Sequence, residues 1–392
     1  MKKILIISNK SIFPALDGGA LAIKNLSHVL VQQNYKIDIV AISKKYNKEK
    51  GGEPEISKPY THINYILFHI NMEFNFIALI KSIVKLESYQ ANRFYNKKIK
   101  EFIQKKINQG NYSIIIFESL FSMIYRSHLT IKDNIQTILR AHNIEHKIWN
   151  NLSKNSSNII TKLIYLFLSY QIKIIEDHYP KMINHIVTLS SIDEKYFKKI
   201  YPQKTHYLPV TFEIEDNKVP KIERSIVHLG SMDWKPNIEG INWFIKNVYP
   251  TLKNENIKTF IAGKKMPKYF LKKTEKNLLI CGKVEDAKKY INNKHILFVP
   301  LFSGSGIRIK ILESMALGIP VVSTSKGAEG IPYKHGVNIL IANTALEFKE
   351  SIMSLIDDSN LALYIGQNGR ELIKSNFSNN FVIKKWNQII KQ

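Results

Sequence analysis

The chain has 392 residues, 44% of them hydrophobic, with 57 Lys and Arg against 32 Asp and Glu, a formal charge of +25. That length suits two domains rather than one, and that apolar content excludes a wholly disordered chain. The single cysteine, Cys281, excludes an intrachain disulfide and a multi-cysteine zinc site and fits a reducing, cytoplasmic interior.

The surplus of positive charge suits a polyanion, whether nucleic acid, acidic lipid or a phosphate-bearing substrate. Joint inflation of Lys, Ile and Asn is equally what an AT-rich coding sequence yields. Zinc-finger, RNP and basic-zipper patterns are absent, so no nucleic-acid partner is expected. The opening MKKILIISNK carries the charges of a signal peptide, but its apolar run stops at Ile7 and no cleavage site follows. No stretch reaches the roughly 18 uninterrupted apolar residues of a membrane span. The nearest approach, LIYLFLSY (Leu163 to Tyr170), lies between Lys162 and Lys173 and reads as an amphipathic helix.

In chain order, KILIIS predicts a first strand, followed by a loop with Pro14 and Asp17-Gly18-Gly19 and a helix from about Ala20 to Gln33. KIDIVAI then predicts a second, parallel strand of a βαβ unit. Further short β-branched runs are HINYILF, SIIIF, QTILRA and HIVTL, separated by Lys-rich helical stretches. One of these carries Lys97, Lys98, Lys100, Lys105 and Lys106 as a basic face. The Pro-punctuated segment Tyr207 to Arg224 lacks periodicity and reads as a linker. Alternation then restarts with SIVHLG, a helix through NIEGINWFIKNVYPTL, and the strands KTFIAG, LLIC, HILFVP and PVVST. Helices after Leu346 and Asn360 and an amphipathic NNFVIKKWNQIIK complete the chain. The fold class expected is α/β, with two doubly wound, Rossmann-like domains facing each other across a cleft. The boundaries are 1–210 and 225–376, with a linker at 211–224 and a terminal helix at 377–392.

The densest chemistry sits in GSGIRIKILESMALGIPVVST, after the strand HILFVP. Ligands of open parallel sheets gather at the carboxyl ends of strands, where helix N-termini point. Gly304, Ser305 and Gly306 leave backbone amides open to an anion, and Arg308 and Lys310 add two positive charges beside them. Glu313 is an isolated carboxylate among Ile311, Leu312, Met315 and Ala316, placed to accept two ribose hydroxyls. The plainer account is a tight turn with a solvated Arg-x-Lys face and a paired Glu.

FVPLFSGSGIRIKILESMALGIPVVSTSKGAEGI resembles the donor-binding signature of family-4 glycosyltransferases, the group 1 glycosyl transferases of GT-B fold. Those enzymes carry a Glu, seven residues, a second Glu and a Met-Ala-x-Gly-x-Pro-Val-Val run. Glu313 matches the second Glu, which the resemblance assigns to the nucleotide ribose. Ser305 stands where the first belongs, as in a branch with a Gly-rich Arg-x-Lys loop. HLGSMDWKPNIEGINWF is similar to the first strand, turn and helix of the donor domain, which implies that Gly230 and Ser231 lie near the phosphates. There Asp233, Trp234, Pro236 and Asn237 shape the helix entry, with helix packing as the plainer role of Trp234. Ser231 and Pro236 occupy the places of the wider family's Arg and Lys, leaving that task to Arg308 and Lys310.

In the N-terminal half, LRAHNIEHKIW resembles the family's strand end bearing a His beside the donor sugar. His142 is the matching residue and the implied catalytic one, with Asn143 and Glu145 as neighbours able to touch sugar or base. Gly18 and Gly19 match the family's glycine-rich loop at the donor diphosphate, although any βα turn calls for a glycine. Their spacing does not fit a nicotinamide or flavin site. Glu329, in SKGAEGI, is either a further sugar or base contact or an exposed turn residue. No Asp-x-Asp occurs, which agrees with a metal-free site.

The resemblance implies a retaining transfer from a nucleotide-sugar, as substrate rather than cofactor, to a glycan, lipid-linked or other acceptor. It also implies a role in surface polysaccharide or glycoconjugate assembly and a final helix returning to the first domain. An anionic membrane surface is a further expected partner of the basic face, giving a peripheral enzyme at the inner face of the plasma membrane. The competing readings are a nucleotide-sugar epimerase of the same architecture and a non-enzymatic protein that binds polyanions or membranes.

Overall fold

A computed structural model describes residues 2–15, 17–44, 55–60, 62–73, 75–84, 87–214, 219–304 and 306–391. The chain divides into two compact units, Met1–Val210 with Ile383–Gln392, and Thr211–Val382.

The strands of the first unit are β1 (Lys3–Ser8), β2 (Lys36–Lys44), β3 (Glu55–Tyr60), β4 (Ile63–Ile70), β5 (Ile114–Glu118), β6 (Gln136–Ala141), β7 (His185–Thr188) and β8 (Thr205–Tyr207). Its helices are α1 (Gly18–Gln32), α2 (Phe76–Val84), α3 (Tyr89–Asn92), α4 (Lys97–Gln109), α5 (Glu145–Lys154), α6 (Ile159–His178) and α7 (Ser191–Ile200). The strands form one sheet in the order β3-β4-β2-β1-β5-β6-β7-β8. All neighbours are parallel except β3, which runs antiparallel to β4 at the edge. The central strands read as unbroken apolar runs because both sheet faces are covered: Ile4 to Ile7 and Ile114 to Phe117 are all buried. Strand order reverses at β1, which lies between β2 and β5.

The strands of the second unit are β9 (Ser225–Leu229), β10 (Lys258–Ala262), β11 (Leu278–Gly282), β12 (Ile296–Val299), β13 (Val321–Ser323) and β14 (Leu340–Ile341). Its helices are α8 (Lys235–Asn247), α9 (Tyr249–Leu252), α10 (Lys268–Leu271), α11 (Ala287–Asn292), α12 (Ile309–Ala316), α13 (Ala345–Asp357) and α14 (Ser359–Asn376). The sheet is parallel throughout, ordered β11-β10-β9-β12-β13-β14, and reverses between β9 and β12. Ile226, Phe244, Phe298, Val322 and Phe348 anchor one face of its core. α15 (Asn379–Ile389) closes the chain, and from Ile383 onward it belongs to the first unit. There Gln136 donates to the Ile390 carbonyl at 3.3 Å and Lys385 lies over the Tyr207 ring.

Each unit is thus a doubly wound, Rossmann-like α/β unit, as the sequence predicts. Two local expectations need correction. Asp17 is the N-cap of α1, accepting from the Ala20 amide at 2.8 Å, so Gly18 and Gly19 form the first turn of a helix rather than a loop. The capping carboxylate starts the helix early, where the glycines alone argue for a turn. The glycine-rich loop ending at Gly306 predicts a helix from about Ile307, but α12 begins at Ile309, with Arg308 at its N-cap position. Gly306, at φ 82°, holds the chain out of helical geometry until then.

Candidate active site

Each unit gathers chemistry at the carboxyl ends of the strands where its order reverses, the place where open α/β sheets bind ligands.

In the first unit the register sets Glu118, the last residue of β5, beside Arg140 on β6. One Glu118 oxygen accepts from Arg140 Nη1 at 3.1 Å, and the other meets His142 Nε2 at 2.6 Å. Arg140 also donates to the Ala22 carbonyl of α1 at 3.1 Å. Burial works to raise the Glu118 pKa, but the Arg140 charge and the His142 hydrogen bond outweigh it and hold it below the usual value. Burial likewise keeps the His142 imidazole below its ordinary pKa, against the pull of Glu118. A neutral ring beside a carboxylate must carry its proton on Nε2, which leaves the Nδ1 lone pair free to accept. Nδ1 faces the start of α1: a methyl added at Gly19 would stand 3.2 Å from it and 2.8 Å from Lys10 Nζ. Lys10 in turn pairs with Asp17 at 3.1 Å.

Ser119, next after Glu118, has φ 72° and ψ 161°, a region that L side chains rarely adopt. Its amide donates to the Arg140 carbonyl at 3.0 Å. Strain of this kind persists only where the surrounding structure enforces it, here beside the buried pair of Glu118 and Arg140.

Asn143 and Glu145 lie one step further on. Asn143 donates to Glu145 at 3.4 Å, and the Glu145 amide donates to Glu176 of α6 at 2.8 Å. Burial, then the nearby Glu176 charge, pushes the Glu145 carboxyl up to about 7. His146 bonds the other Glu176 oxygen.

In the second unit, Arg308 and Lys310 meet the end of β9. The His228 ring is buried in that strand, and its Nδ1 donates to the Phe298 carbonyl of β12 at 3.0 Å. That bond fixes the tautomer, so Nε2 accepts from Lys310 Nζ at 3.3 Å. Lys310 also donates to Asn237 Oδ1 on α8 at 3.1 Å. Gly230 makes room for this meeting, since a methyl there would stand 2.6 Å from Asn237 Nδ2 and 2.9 Å from Lys310 Nζ. Ser231 turns its hydroxyl away to Asp233, which Lys265 also pairs at 2.6 Å.

Arg308 is 5% exposed, its guanidinium 5.0 Å from the Trp234 ring and bonded to the Gly306 carbonyl. Gly304, at φ 96°, keeps clear of that ring, which a methyl would approach to 2.7 Å. Trp234, at the N-cap position of α8, therefore packs on Arg308. Burial lowers Arg308 to about 10, against the charge of Glu329. It lowers Lys310 to about 7, with the Arg308 charge adding to the effect. Two desolvated cations, one held by neutral partners, favour a bound anion.

Glu313 follows Lys310 by three residues and so shares its side of α12. Burial raises its carboxyl to about 7 against the pull of Lys288. Glu329 pairs with Lys326 at 2.6 Å in the turn after β13. Ser305 lies outside the described residues.

The structure thus groups Gly230, Gly304, Gly306, Arg308, Lys310 and Glu313 in one unit, with Glu329 within electrostatic range of Arg308. It groups Gly19, His142, Asn143 and Glu145 in the other. Glu118, Lys10 and His228 are functional candidates that the sequence alone does not single out. A Glu or His at a strand end is ambiguous on its own, and only the sheet register brings Glu118 to Arg140.

Residues 223–358 match the family model described as glycosyl transferases group 1. A curated relative, an uncharacterized 44.6 kDa protein in the cps region of Klebsiella pneumoniae, is 24% identical over 96% of this chain and 97% of its own length. Among solved structures, sucrose-phosphate synthase from Thermosynechococcus elongatus superposes with TM-score 0.75 at 14% identity, over 100% of this chain and 99% of that one. A point mutant of S. aureus TarM, in complex with fondaparinux, alpha-GlcNAc-glycerol and UDP, gives TM-score 0.71 at 14% identity with both chains fully covered. The group 1 match over residues 223–358 supports glycosyltransferase activity, and the likeness to the solved structures shows the two-domain GT-B fold.

Proposed function

We propose that the enzyme moves a sugar from a nucleoside-diphosphate-sugar to an acceptor hydroxyl, with retention at the anomeric carbon and without a metal. The observation that carries this reading is the pair Arg308 and Lys310, desolvated beside the end of β9 and the start of α12. As the bond between anomeric carbon and phosphate oxygen breaks, its electron pair moves onto the diphosphate. The two cations and the α12 amides stabilise that charge, a contribution of about 3–4 kcal/mol per well-placed donor. They supply the positive charge that a divalent ion supplies elsewhere, which supports the metal-free reading. The acceptor oxygen then bonds to the anomeric carbon and releases its proton to the departing phosphate.

Glu313, in its ionised form, accepts from the ribose hydroxyls. His142 offers Nδ1 to a sugar hydroxyl, with Glu118 as its positioning residue. Retention rests on the likeness of the Gly304 to Thr324 segment to the family-4 signature. The cps-region name of the K. pneumoniae relative supports a role in surface polysaccharide or glycoconjugate assembly, with a glycan or lipid-linked acceptor. Exposed Lys97, Lys98 and Lys105 on α4 favour an acidic surface such as a membrane leaflet.

Calorimetric titration with UDP and with uridine tests the reading. Arg308→Ala and Lys310→Ala should weaken UDP by about 10–100-fold each and leave uridine nearly unchanged. Equal loss for both ligands would contradict a phosphate role.

A further inference from the structure

α2 is amphipathic in the wrong direction for a helix on a globular core. Its apolar residues Phe76, Ile77, Ile80, Ile83 and Val84 recur at helical spacing along one face, and all five are exposed, Val84 by 80%. The face turned inward offers only Leu79 and Ser82.

What holds α2 in this pose is a polar pin from α6. Gln171, 3% exposed, donates to Ser82 Oγ at 3.2 Å and to the Glu87 carbonyl at 2.7 Å, and accepts from the Tyr89 amide at 3.2 Å. Leu79, Leu168 and Tyr89 pack together beneath it. The pin ties α2 to α6, and α6 also turns hydrophobic residues outward. Ile159, Leu163, Leu166 and Tyr170 follow one another at helical spacing and are all exposed. Isolated exposed apolar residues are ordinary, but two pinned helices presenting such stripes together mark an interaction surface.

Charge identifies the occupant. α2 contains no acidic residue, and α6 contains none from Ile159 through Ile175. The exposed charges within those stretches are positive, Lys81 and Lys162, with Lys173 paired to Asp177. Lysines beside an apolar stripe can lay their stems on it and carry the ammonium to a headgroup. A second copy meeting the same faces would offer these lysines no acidic residue from those stretches. An anionic lipid leaflet takes the side chains into its acyl boundary and pairs the lysines with phosphates.

We propose that the outward faces of α2 and α6 form a lipid-docking surface that seats the first unit on an anionic membrane. This deepens the membrane part of the function proposed above and is independent of the donor chemistry. It also assigns the contact to these helices rather than to the basic face of α4.

Flotation with phosphatidylcholine vesicles, with and without an equal part of phosphatidylglycerol, tests it on the full chain. The wild type should float with the anionic vesicles and far less with the neutral ones. The double variants Ile80→Asp with Ile83→Asp, and Leu163→Asp with Leu166→Asp, should lose at least tenfold in partitioning. Lys81→Glu with Lys162→Glu should lose about fivefold per charge. Circular dichroism and thermal melting of each variant show whether the first unit still folds, while UDP titration reports on the second unit, and failure of the wild type to bind UDP would count against the transferase reading alone. The proposal fails if the wild type does not float or if the aspartate variants float as it does. It fails also if reversing Lys97, Lys98 and Lys105 on α4 alone abolishes binding. Light scattering that shows a dimer dissolved by the aspartates would hand the surface to a second copy.

Discussion

The two groups at the strand ends face opposite electrostatic situations. In the first unit Glu118 lies between Arg140 and His142, so a fully buried carboxylate has a cation on one oxygen and an imidazole N–H on the other. In the second, Lys310 is desolvated and bonded to His228 and Asn237, neither of which offers negative charge. One group is internally balanced, which suits it to hold an imidazole in a fixed tautomer. The other carries a standing imbalance that a bound anion would relieve.

Removing the balancing charge should have the largest effect. Glu118→Leu leaves Arg140 buried without its carboxylate and should cost about 3–5 kcal/mol in denaturant unfolding. A loss below about 1 kcal/mol would erase the contrast, since the first unit would then not depend on its ion pair.

The imbalance of the second unit should appear as pH dependence. Above the second phosphate ionisation near pH 6, UDP affinity should fall by up to about tenfold per pH unit as Lys310 deprotonates through about 7. Lys310→Arg should remove that slope, and an unchanged slope would assign the titration to another group. Without ligand the sign reverses. Lys310 binds a proton less readily folded than unfolded, so its cost is full below pH 7 and is relieved between about 7 and its unfolded value.

Glu313 has the opposite sense, with a folded pKa raised to about 7. Its contribution is complete below its unfolded value near 4.5 and is lost as pH rises through 7. Glu313→Gln should flatten that part of the stability profile by about 1–2 kcal/mol, discounted for partial exposure. Thermal melts from pH 4.5 to 7.5 that superimpose for wild type and variant would remove Glu313 from the account. The smallest effect expected is that of Trp234→Leu, which removes the ring beside Arg308 and should weaken UDP by about two- to fivefold, or 0.5–1 kcal/mol. An unaltered titration would leave Trp234 as a packing residue only.

Much of the fold is legible because buried parallel strands are written as continuous apolar runs. KILIIS, KIDIVAI and SIIIF become β1, β2 and β5 with little change of boundary. β3 was not foreseen, since Lys58 and Pro59 mask an edge strand, and β14 spans only Leu340–Ile341. The second unit's group was readable because Arg308, Lys310 and Glu313 sit within six residues of one another. The first unit's was not, because Glu118 meets partners 22 and 24 residues away through strand pairing. The orientation of α2 was equally hidden: its periodicity announces an apolar face, while Gln171, 89 residues on from Ser82, decides which way that face turns.

Ser119 gives the first unit's group a particular way to fail. Its φ of 72° costs about 1–3 kcal/mol and persists only while the neighbouring chain enforces it. Arg140 supplies both restraints, its carbonyl to the Ser119 amide and its guanidinium to Glu118. If β6 parts from β5 at this end, both grips release together and the backbone falls back to a common conformation, carrying the carboxylate away from His142. One residue thus secures both the turn and the carboxylate, so that loss of the Arg140 side chain would loosen the placement of Glu118 against His142 while the Ser119 amide kept its backbone partner.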